Sequence, residues 1–215
     1  AQRGGALMAF HIDHAETSGL FKLDGGEWEV DNNIWVVGDD KEVYIIDAAH
    51  SVDPIAEAVG DRTVKGIICT HGHNDHITVA PELSEKYDAP IFLHPGDTML
   101  WKETHPDVAF QEIDDRQRFS IAGTDLEFLS TPGHSPGSGC LYAPEAGVLF
   151  SGDTLFQGGP GATGRSFSSF EVIIDSIREH LLTLPAETTV YTGHGEHTTI
   201  GGEAPHLEEW IKRGY

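Results

Sequence analysis

The segment Thr70–His76, which reads THGHNDH, constrains this chain of 215 residues more than any other stretch. It follows the short apolar run Gly66–Thr70, which predicts a buried strand. It precedes Val79–Tyr87, which predicts a helix. Polar residues concentrated where a buried strand ends are typical of a functional loop on a rigid scaffold.

Four side chains of this loop can bind metal ions. His71 and His73 lie two residues apart, so an extended chain can direct both to one side. Asp75 and His76 follow where the chain turns into the next helix, and they can reach a second position. Neutral imidazole and carboxylate ligands suit Zn²⁺, Fe²⁺ and Mn²⁺. One loop could therefore supply ligands to two ions.

Three further candidates each follow a predicted strand and have glycine nearby, which lets the backbone bend sharply. They are His134 after Leu126–Ser130, Asp153 after Val148–Ser151, and His194 after Thr189–Thr192. A single His or Asp at such a place is more often structural. Together, however, the four loops offer five histidines and two aspartates, which predicts a site for two metal ions.

The remaining pattern indicates an α/β protein. Further strands are predicted over Asn33–Val37, Glu42–Ile46, Pro90–His94 and Cys140–Ala143, and helices over Asp53–Val59, Ser168–Leu184 and Pro205–Arg213. Both halves end strands in loops rich in candidate ligands. We therefore expect a four-layer αββα sandwich, with two sheets packed together, helices outside, and the metal site in a cleft at one edge of the two sheets.

Two of the predicted helices have a specific buried face. In Ser168–Leu184, Ser168 and Glu171 fit a capping box, and Ile173, Ile177 and Leu181 recur at the spacing of one buried face. In Pro205–Arg213, Leu207, Trp210 and Ile211 are expected to point toward the core. No stretch of disordered composition divides residues 9–215, so we expect one domain, with residues 1–8 as a tag or a flexible N-terminal extension.

The charge balance restricts the partners. The chain carries 35 Asp and Glu against 13 Lys and Arg, a net charge of −22. Binding to nucleic acid or to an anionic membrane requires a basic surface, so neither is expected. No apolar run is long enough to span a membrane. The two cysteines, Cys69 and Cys140, lie in apolar runs and are predicted to be buried reduced thiols, as in a cytoplasmic protein.

The motifs HGHNDH, PGHSPGS, SGDTLF and TGHG occur in the order found in the metallo-β-lactamase superfamily, which the chain resembles over most of residues 32–202. Within that superfamily, GDTLF, LLTLP and GHGEHTTIGGE resemble the small glyoxalase-II-like thioester hydrolases. The resemblance implies that His71, His73 and His134 bind one metal ion. It implies that Asp75, His76 and His194 bind a second ion and that Asp153 bridges both.

The resemblance also implies the chemistry. A hydroxide that bridges the two metals would attack the carbonyl of a thioester of a low-molecular-weight thiol, with Asp75 and Asp153 as the catalytic carboxylates. Zinc is the first expectation for the metals, with iron or manganese as alternatives. Asp47 is expected to orient a ligand histidine. Arg165, Ser166 and His197 are candidate contacts to the substrate, and the enzyme is expected to be a monomer or a homodimer.

Several alternatives stay open. The long glyoxalase II enzymes carry a Tyr just after the last metal-binding His, whereas Gly195-Glu196-His197 stands here, so the thiol could be glutathione, mycothiol or another. A persulfide dioxygenase with one iron on His71, His134 and Asp153 is a different reaction on the same fold. A lactonase, a β-lactamase or a phosphodiesterase, and a binding module without catalysis, are the other possibilities.

Overall fold

The computed structural model of the protein describes residues 10–215 and contains two six-stranded sheets. The strands of the first sheet are, in order across the sheet, His11–Leu23 (β1), Gly26–Gly38 (β2), Glu42–Ile46 (β3), Thr63–Ile68 (β4), Ile91–Leu93 (β5) and Gln111–Glu112 (β6). The first three are antiparallel, and the rest run parallel to β3. The ends of β3 and β4 therefore meet at one edge.

The second sheet is built by the second half of the chain. Its strands are Arg118–Ile121 (β7), Thr124–Ser130 (β8), Gly139–Ala143 (β9), Val148–Gly152 (β10), Thr189–Thr192 (β13) and Thr198–Thr199 (β14), in the spatial order β14-β13-β10-β9-β8-β7. A small hairpin of Leu155–Phe156 (β11) and Gly159–Pro160 (β12) follows β10. The parallel pair β10 and β13 brings the residues after each strand to the same edge.

Helices cover the outer faces of both sheets. They are Val52–Val59 (α1), Asn74–Ile77 (α2), Ala80–Tyr87 (α3), Thr98–Thr104 (α4), Phe170–Ser176 (α5), Ile200–Glu203 (α6) and Leu207–Arg213 (α7). Among the described residues, no helix is long and apolar enough to cross a membrane.

Within residues 10–215, three separate apolar cores define the layers. Val37, Ile68 and Phe128 belong to the core between the two sheets. Leu83 of α3 packs in the core outside the first sheet, and Ile173 of α5 packs in the core outside the second. Helix, sheet, sheet and helix are thus stacked in that order, which confirms the predicted αββα sandwich.

A long hairpin of β1 and β2 was not predicted, apart from the segment Asn33–Val37 within β2. The strands pair along their whole length, from His11 opposite Gly38 to Leu23 opposite Gly26. Asp24 and Gly25 form the turn, both with positive φ of 53° and 79°, as a tight hairpin turn with the right-handed strand twist requires. An Asp-Gly pair is a strong hairpin signal, and it marks this turn in the sequence.

The helix at Ser168–Leu184 differs from its prediction at both ends. Ser169, not Ser168, is the N-cap, and its hydroxyl accepts a hydrogen bond from the Val172 amide. The α-helix ends at Ser176 and continues as a π-helical turn to Leu181. The predicted buried face is confirmed, because Ile173, Ile177 and Leu181 are fully buried.

Two other predictions need correction. In α7, Trp210 is buried as expected, but Ile211 is 38% exposed, because neighbouring positions of a helix point about 100° apart. Helix α4 was not predicted. The expectation of an N-terminal tag or extension over residues 1–8 lies outside the described residues.

Candidate metal centre

The predicted ligand loops meet where strands of both sheets end. The loop after β4 is joined to the second sheet by a hydrogen bond from the Gly139 amide to the Thr70 carbonyl, 2.9 Å long. The loop after β13 is joined to the first sheet by a hydrogen bond from the Asn33 amide to the Gly193 carbonyl, also 2.9 Å long. These two hydrogen bonds thus connect the two sheets at the edge where the ligand loops converge.

Seven side chains form two adjoining groups at this edge. The first group is His71, His73 and His134, and the second is Asp75, His76, Asp153 and His194. Within each group, one potential ligand atom of every residue lies within 4.8 Å of those of the others. All seven side chains are buried except that of His194, which is partly exposed. All the metal-binding candidates named from the sequence are therefore brought together.

The Asp153 carboxylate lies between the two groups. Its Oδ2 is 3.4 Å from Nε2 of His134, which belongs to the first group, and 3.2 Å from Nε2 of His194, which belongs to the second. Its Oδ1 is 3.2 Å from Nε2 of His76. One carboxylate therefore has an oxygen near both groups, which is the arrangement that a bridging ligand needs.

Hydrogen bonds to Nδ1 fix the ring orientation of three of these histidines. The Asp47 carboxylate lies 2.8 Å from Nδ1 of His76. The Ala162 carbonyl lies 2.7 Å from Nδ1 of His134, and the Asp31 carbonyl lies 2.7 Å from Nδ1 of His194. Carbonyl and carboxylate oxygens only accept, so each Nδ1 carries a proton. In the neutral ring, Nε2 then presents its lone pair to the centre.

His71 is oriented in the same way, through a hydroxyl. The Thr70 hydroxyl donates to Asp47 at 2.9 Å, so its oxygen is free to accept from Nδ1 of His71 at 3.1 Å. His73 differs, because its Nδ1 faces Nε2 of His134 at 3.1 Å. Because His134 carries its proton on Nδ1, its Nε2 has a free lone pair. Nδ1 of His73 and Nε2 of His134 can therefore both direct a lone pair at one cation.

The buried polar atoms that lack partners test whether a metal fits. At the centre they include Nε2 of His71, Oδ1 of Asp75 and Oδ1 of Asp153. A buried polar atom without a partner is destabilising by about 1–3 kcal/mol, so clustering several at one point requires a compensating group. Nitrogen and carboxylate donors converging in this way suit a divalent cation, and the residues present fit one.

The electrostatics divide the histidines into two kinds. Burial, reinforced by neighbouring histidines, lowers the pKa of His71 well below its usual value and that of His73 to about 3. Burial also opposes charge on His194, but the Asp153 carboxylate outweighs it and raises the pKa of His194 to about 10. His71 and His73 are therefore neutral at pH 7 and ready to bind a cation.

The acidic members of the site keep their charge. Burial alone would raise the pKa of Asp75 and of Asp153. The adjacent histidines outweigh that effect and hold both pKa values well below the usual range for aspartate. Two negative charges consequently lie within the buried centre, where they would attract divalent cations.

Asn32 and Asp97 belong to the site although the sequence did not single them out. The Asn32 amide donates to Oδ2 and to the backbone carbonyl of Asp75, both at 3.1 Å, and so leaves Oδ1 of Asp75 free. Asp97 is fully buried and accepts hydrogen bonds from the loops around His71 and His134. Both residues come from segments distant in sequence, and no local pattern marks them.

A cavity of 360 Å³ opens directly onto the centre. Its wall includes Asp75, His134, Asp153 and His194, and facing them Phe21, Trp28, Val30, Phe156, Ala162 and Arg165. The Arg165 guanidinium lies 4.1 Å from the ring centroid of Trp28 and 5.7 Å from that of Phe21. The unpredicted hairpin β1–β2 therefore supplies an aromatic wall for the cavity, together with one cationic group.

The other predicted site residues lie at different distances from the cavity. Asp47 is in contact with His76 and Thr70, as expected for a residue that orients a ligand. Ser166 does not line the cavity, because its hydroxyl donates to Asp24 at the hairpin turn at 2.6 Å. His197 is exposed, lies beside the Tyr191 ring with centroids 6.1 Å apart, and does not line the cavity either.

Known proteins share this sequence pattern. The family model of the metallo-β-lactamase superfamily matches residues 28–194. The probable metallo-hydrolase YqgX of Bacillus subtilis (strain 168) is 36% identical over 184 residues, covering 79% of this chain and 87% of the relative. The hydroxyacylglutathione hydrolase GloC of Haemophilus influenzae is 33% identical over 186 residues, covering 79% and 87%.

Solved structures share the fold. BLEG-1, described as a B3 metallo-β-lactamase, has a TM-score of 0.74 at 27% identity and covers 89% of this chain and 98% of its own. TTHA1623, solved in a di-iron-bound form, has a TM-score of 0.73 at 28% identity, with coverages of 81% and 93%. ETHE1 from Myxococcus xanthus has a TM-score of 0.73 at 25% identity, with coverages of 91% and 88%.

The family match runs from within β2 to the last histidine of the centre, and the His and Asp clusters lie where the two sheets meet. Clusters of this composition imply divalent metal ions. The chain therefore belongs to the metallo-β-lactamase superfamily and is a metallo-hydrolase with that fold.

Proposed function

We propose that this protein hydrolyses an acyl thioester of a low-molecular-weight thiol and uses two divalent metal ions. The observation that carries the proposal is the clustering of five histidines and two aspartates in two adjoining groups, four of whose members line a cavity. The identity of 33% with a hydroxyacylglutathione hydrolase supports the choice of substrate.

The ligand assignment follows the two groups. One ion would be held by His71, His73 and His134 and the other by Asp75, His76 and His194, with Asp153 shared between them. That assignment uses every member of both groups. A centre with a single iron on His71, His134 and Asp153 would leave the other four without a role. The geometry therefore favours two ions over the one iron of a persulfide dioxygenase.

The metal ions would acidify a bound water and polarise the carbonyl group of the substrate. The protein prepares the ligands for this. Asp47 and the carbonyls of Asp31 and Ala162 keep protons on the Nδ1 atoms, so that Nε2 atoms face inward. Asp75 and Asp153 contribute two negative charges, fewer than two divalent ions would bring, so the loaded centre would keep an excess of positive charge for an electron-rich carbonyl oxygen.

The cavity suits a small substrate with an apolar part and one anionic group. Phe21, Trp28 and Phe156 would bury the apolar part and exclude water from the centre. Arg165 is the basic residue on this wall, in a chain of net charge −22. We propose that its guanidinium binds a carboxylate of the substrate. Ser166 would act on this site only through its bond to Asp24, which ties the hairpin turn to the Arg165 loop.

The donor set of imidazole and carboxylate permits zinc, iron or manganese. We propose zinc as the metal, with iron as the alternative that the di-iron form of the similar protein TTHA1623 supports. A β-lactamase activity is the second candidate function, because BLEG-1, described as a B3 metallo-β-lactamase, shares the fold at 27% identity.

The test is release of free thiol from a panel of thioesters that includes S-lactoylglutathione and an acyl-mycothiol. Asp153→Ala, assayed at the same protein concentration, should abolish the release. Asp39→Asn, which alters a buried carboxylate at a turn away from the centre, should leave it unchanged. Absence of thiol release from every member by protein with both ions bound would refute the proposal, and hydrolysis of a β-lactam would then support the second candidate.

A further inference from the structure

The side chain of Asp97 lies between the two loops that carry the three-histidine group, and it is fully buried. Its Oδ2 accepts a hydrogen bond of 2.8 Å from the Gly72 amide and one of 2.7 Å from the Ser135 hydroxyl. Its Oδ1 accepts one of 2.6 Å from the Gly137 amide. Three donors from two separate loops therefore converge on one carboxylate.

These donors are adjacent to the candidate ligands. Gly72 lies between His71 and His73, whereas Ser135 follows His134 directly. The approach is close, because a Cβ on Gly72 would lie 3.0 Å from Cβ of Asp97, and one on Gly137 would lie 2.5 Å from its amide nitrogen. Glycine at these positions lets both loops pack against Asp97, which sets their separation.

The position of Asp97 in the chain provides a second, independent sign. Asp97 is the N-cap residue of α4, where an aspartate normally accepts a hydrogen bond from the amides of its own helix. Its side chain makes no such bond. Burial of a carboxylate is strongly destabilising unless donors surround it, and here all the donors come from the two ligand loops. The side chain thus serves the contact between the loops and not its own helix.

We propose that Asp97 is a positioning residue that sets the separation between the His71–His73 segment and His134, and hence the metal affinity of the three-histidine group. This inference rests on the proposed function, because it requires that the group bind a metal ion. Asp97 differs from Asp47, which contacts a ring of the other group directly. Its effect reaches the histidines through the backbone of their loops.

Zinc binding to metal-free protein, measured by competition with a chromophoric chelator, tests the proposal. Asp97→Asn replaces one acceptor oxygen by an amide donor that would face the loop donors. It is introduced into two backgrounds: His194→Ala, which disables the four-residue group, and His134→Ala, which disables the three-histidine group. Asp39→Asn is the matched control, because Asp39 is also buried and accepts two backbone amide hydrogen bonds, at 2.8 and 2.9 Å.

In the His194→Ala background, Asp97→Asn should weaken zinc binding about tenfold or more, as loss of a supporting contact around metal ligands does. In the His134→Ala background, it should change zinc affinity by less than about twofold. Equal weakening in both backgrounds, or no weakening in either, would overturn the proposal. If the unaltered protein binds no zinc, the proposed function itself fails. If the unaltered protein binds two ions and the Asp97→Asn variant binds them equally well, only the role of Asp97 is refuted.

A second variant covers the case in which Asp97→Asn does not fold, as judged by circular dichroism. Ser135→Ala removes one of the three donors and leaves the carboxylate in place. It should weaken zinc binding in the His194→Ala background in the same direction and to a smaller extent. Unchanged binding in Ser135→Ala would count against Asp97 as a positioning residue.

Discussion

Asp47 and His76 form a fully buried pair in which Oδ2 of the carboxylate lies 2.8 Å from Nδ1 of the ring. The same carboxylate accepts hydrogen bonds from the amide and the hydroxyl of Thr70. Asp47 itself has a positive φ of 67°, which is uncommon for a residue other than glycine. The end of β3 is therefore shaped to hold one ring of the centre in one tautomer.

Replacing Asp47 should weaken the centre without removing a ligand. In Asp47→Asn, an amide N–H can face Nδ1 of His76 and favour the tautomer with its proton on Nε2, which would block that ligand. We expect metal affinity and kcat to fall about 10–100-fold. Competition titration with a chelator and steady-state kinetics measure both. Equal values for Asp47→Asn and the control Asp39→Asn would show that the pair does not orient His76.

The two groups should lose their ions separately. We expect His134→Ala and His194→Ala each to retain one of two ions, because each removes a ligand from one group only. Asp153→Ala should lower the affinity for both ions, because Asp153 has contacts to both groups. Metal content after dialysis, measured by mass spectrometry, distinguishes these results. Two ions retained by Asp153→Ala would exclude a bridging role, and kcat should fall by about 100-fold or more in all three variants.

The sequence was sufficient to name the candidate ligands that the fold brings together, because the spacing of a motif is local information. His71 to His76 lie in one loop, and His134, Asp153 and His194 each follow a recognisable strand. The αββα sandwich followed from the alternation of strands and helices, and the three apolar cores confirm it.

Features that depend on contacts between distant segments escaped prediction. Asp97 is separated by 25 residues from Gly72 and by 40 from Gly137, and only the folded chain brings them together. The hairpin β1–β2 escaped for a different reason. Its strands carry many charged and polar residues outside any compact apolar run, and the Asp24-Gly25 turn was the signal that could have revealed it.

Arg165 should determine affinity for an anionic substrate and not the rate of the chemical step. We expect Arg165→Gln to raise KM about fivefold for a thioester with a carboxylate, equivalent to about 1 kcal/mol, because Arg165 is an exposed residue and solvent weakens its ion pairs. The KM for the matched neutral amide, and kcat for both substrates, should stay unchanged. Equal changes in KM for the acid and the amide would assign Arg165 a purely structural role on the Trp28 wall.

Neither cysteine should take part in the reaction. Cys69 and Cys140 are fully buried, and burial raises the pKa of Cys69 well above its usual value and that of Cys140 to about 11. A thiol with a pKa near 11 is a thiolate in only about one molecule per thousand at pH 8. Iodoacetamide at pH 8 should therefore leave the activity of native protein unchanged, while mass spectrometry should find both cysteines alkylated after unfolding. Inactivation that parallels alkylation of native protein would contradict this.

Gly193 should be essential to the centre although it contributes no ligand. It lies directly before His194, and a Cβ at this position would collide with the Asp153 carboxylate and lie 3.0 Å from Cε1 of His76. Gly193→Ala should therefore displace two side chains of the second group and reduce zinc affinity and kcat about tenfold or more. Gly60→Ala is the control, because its φ of 66° makes alanine strained while its Cβ would meet nothing within 4 Å. The control should lose about 1–3 kcal/mol of unfolding free energy and keep both ions, whereas Gly193→Ala with full zinc affinity would show that the Asp153 carboxylate can shift without loss of the site.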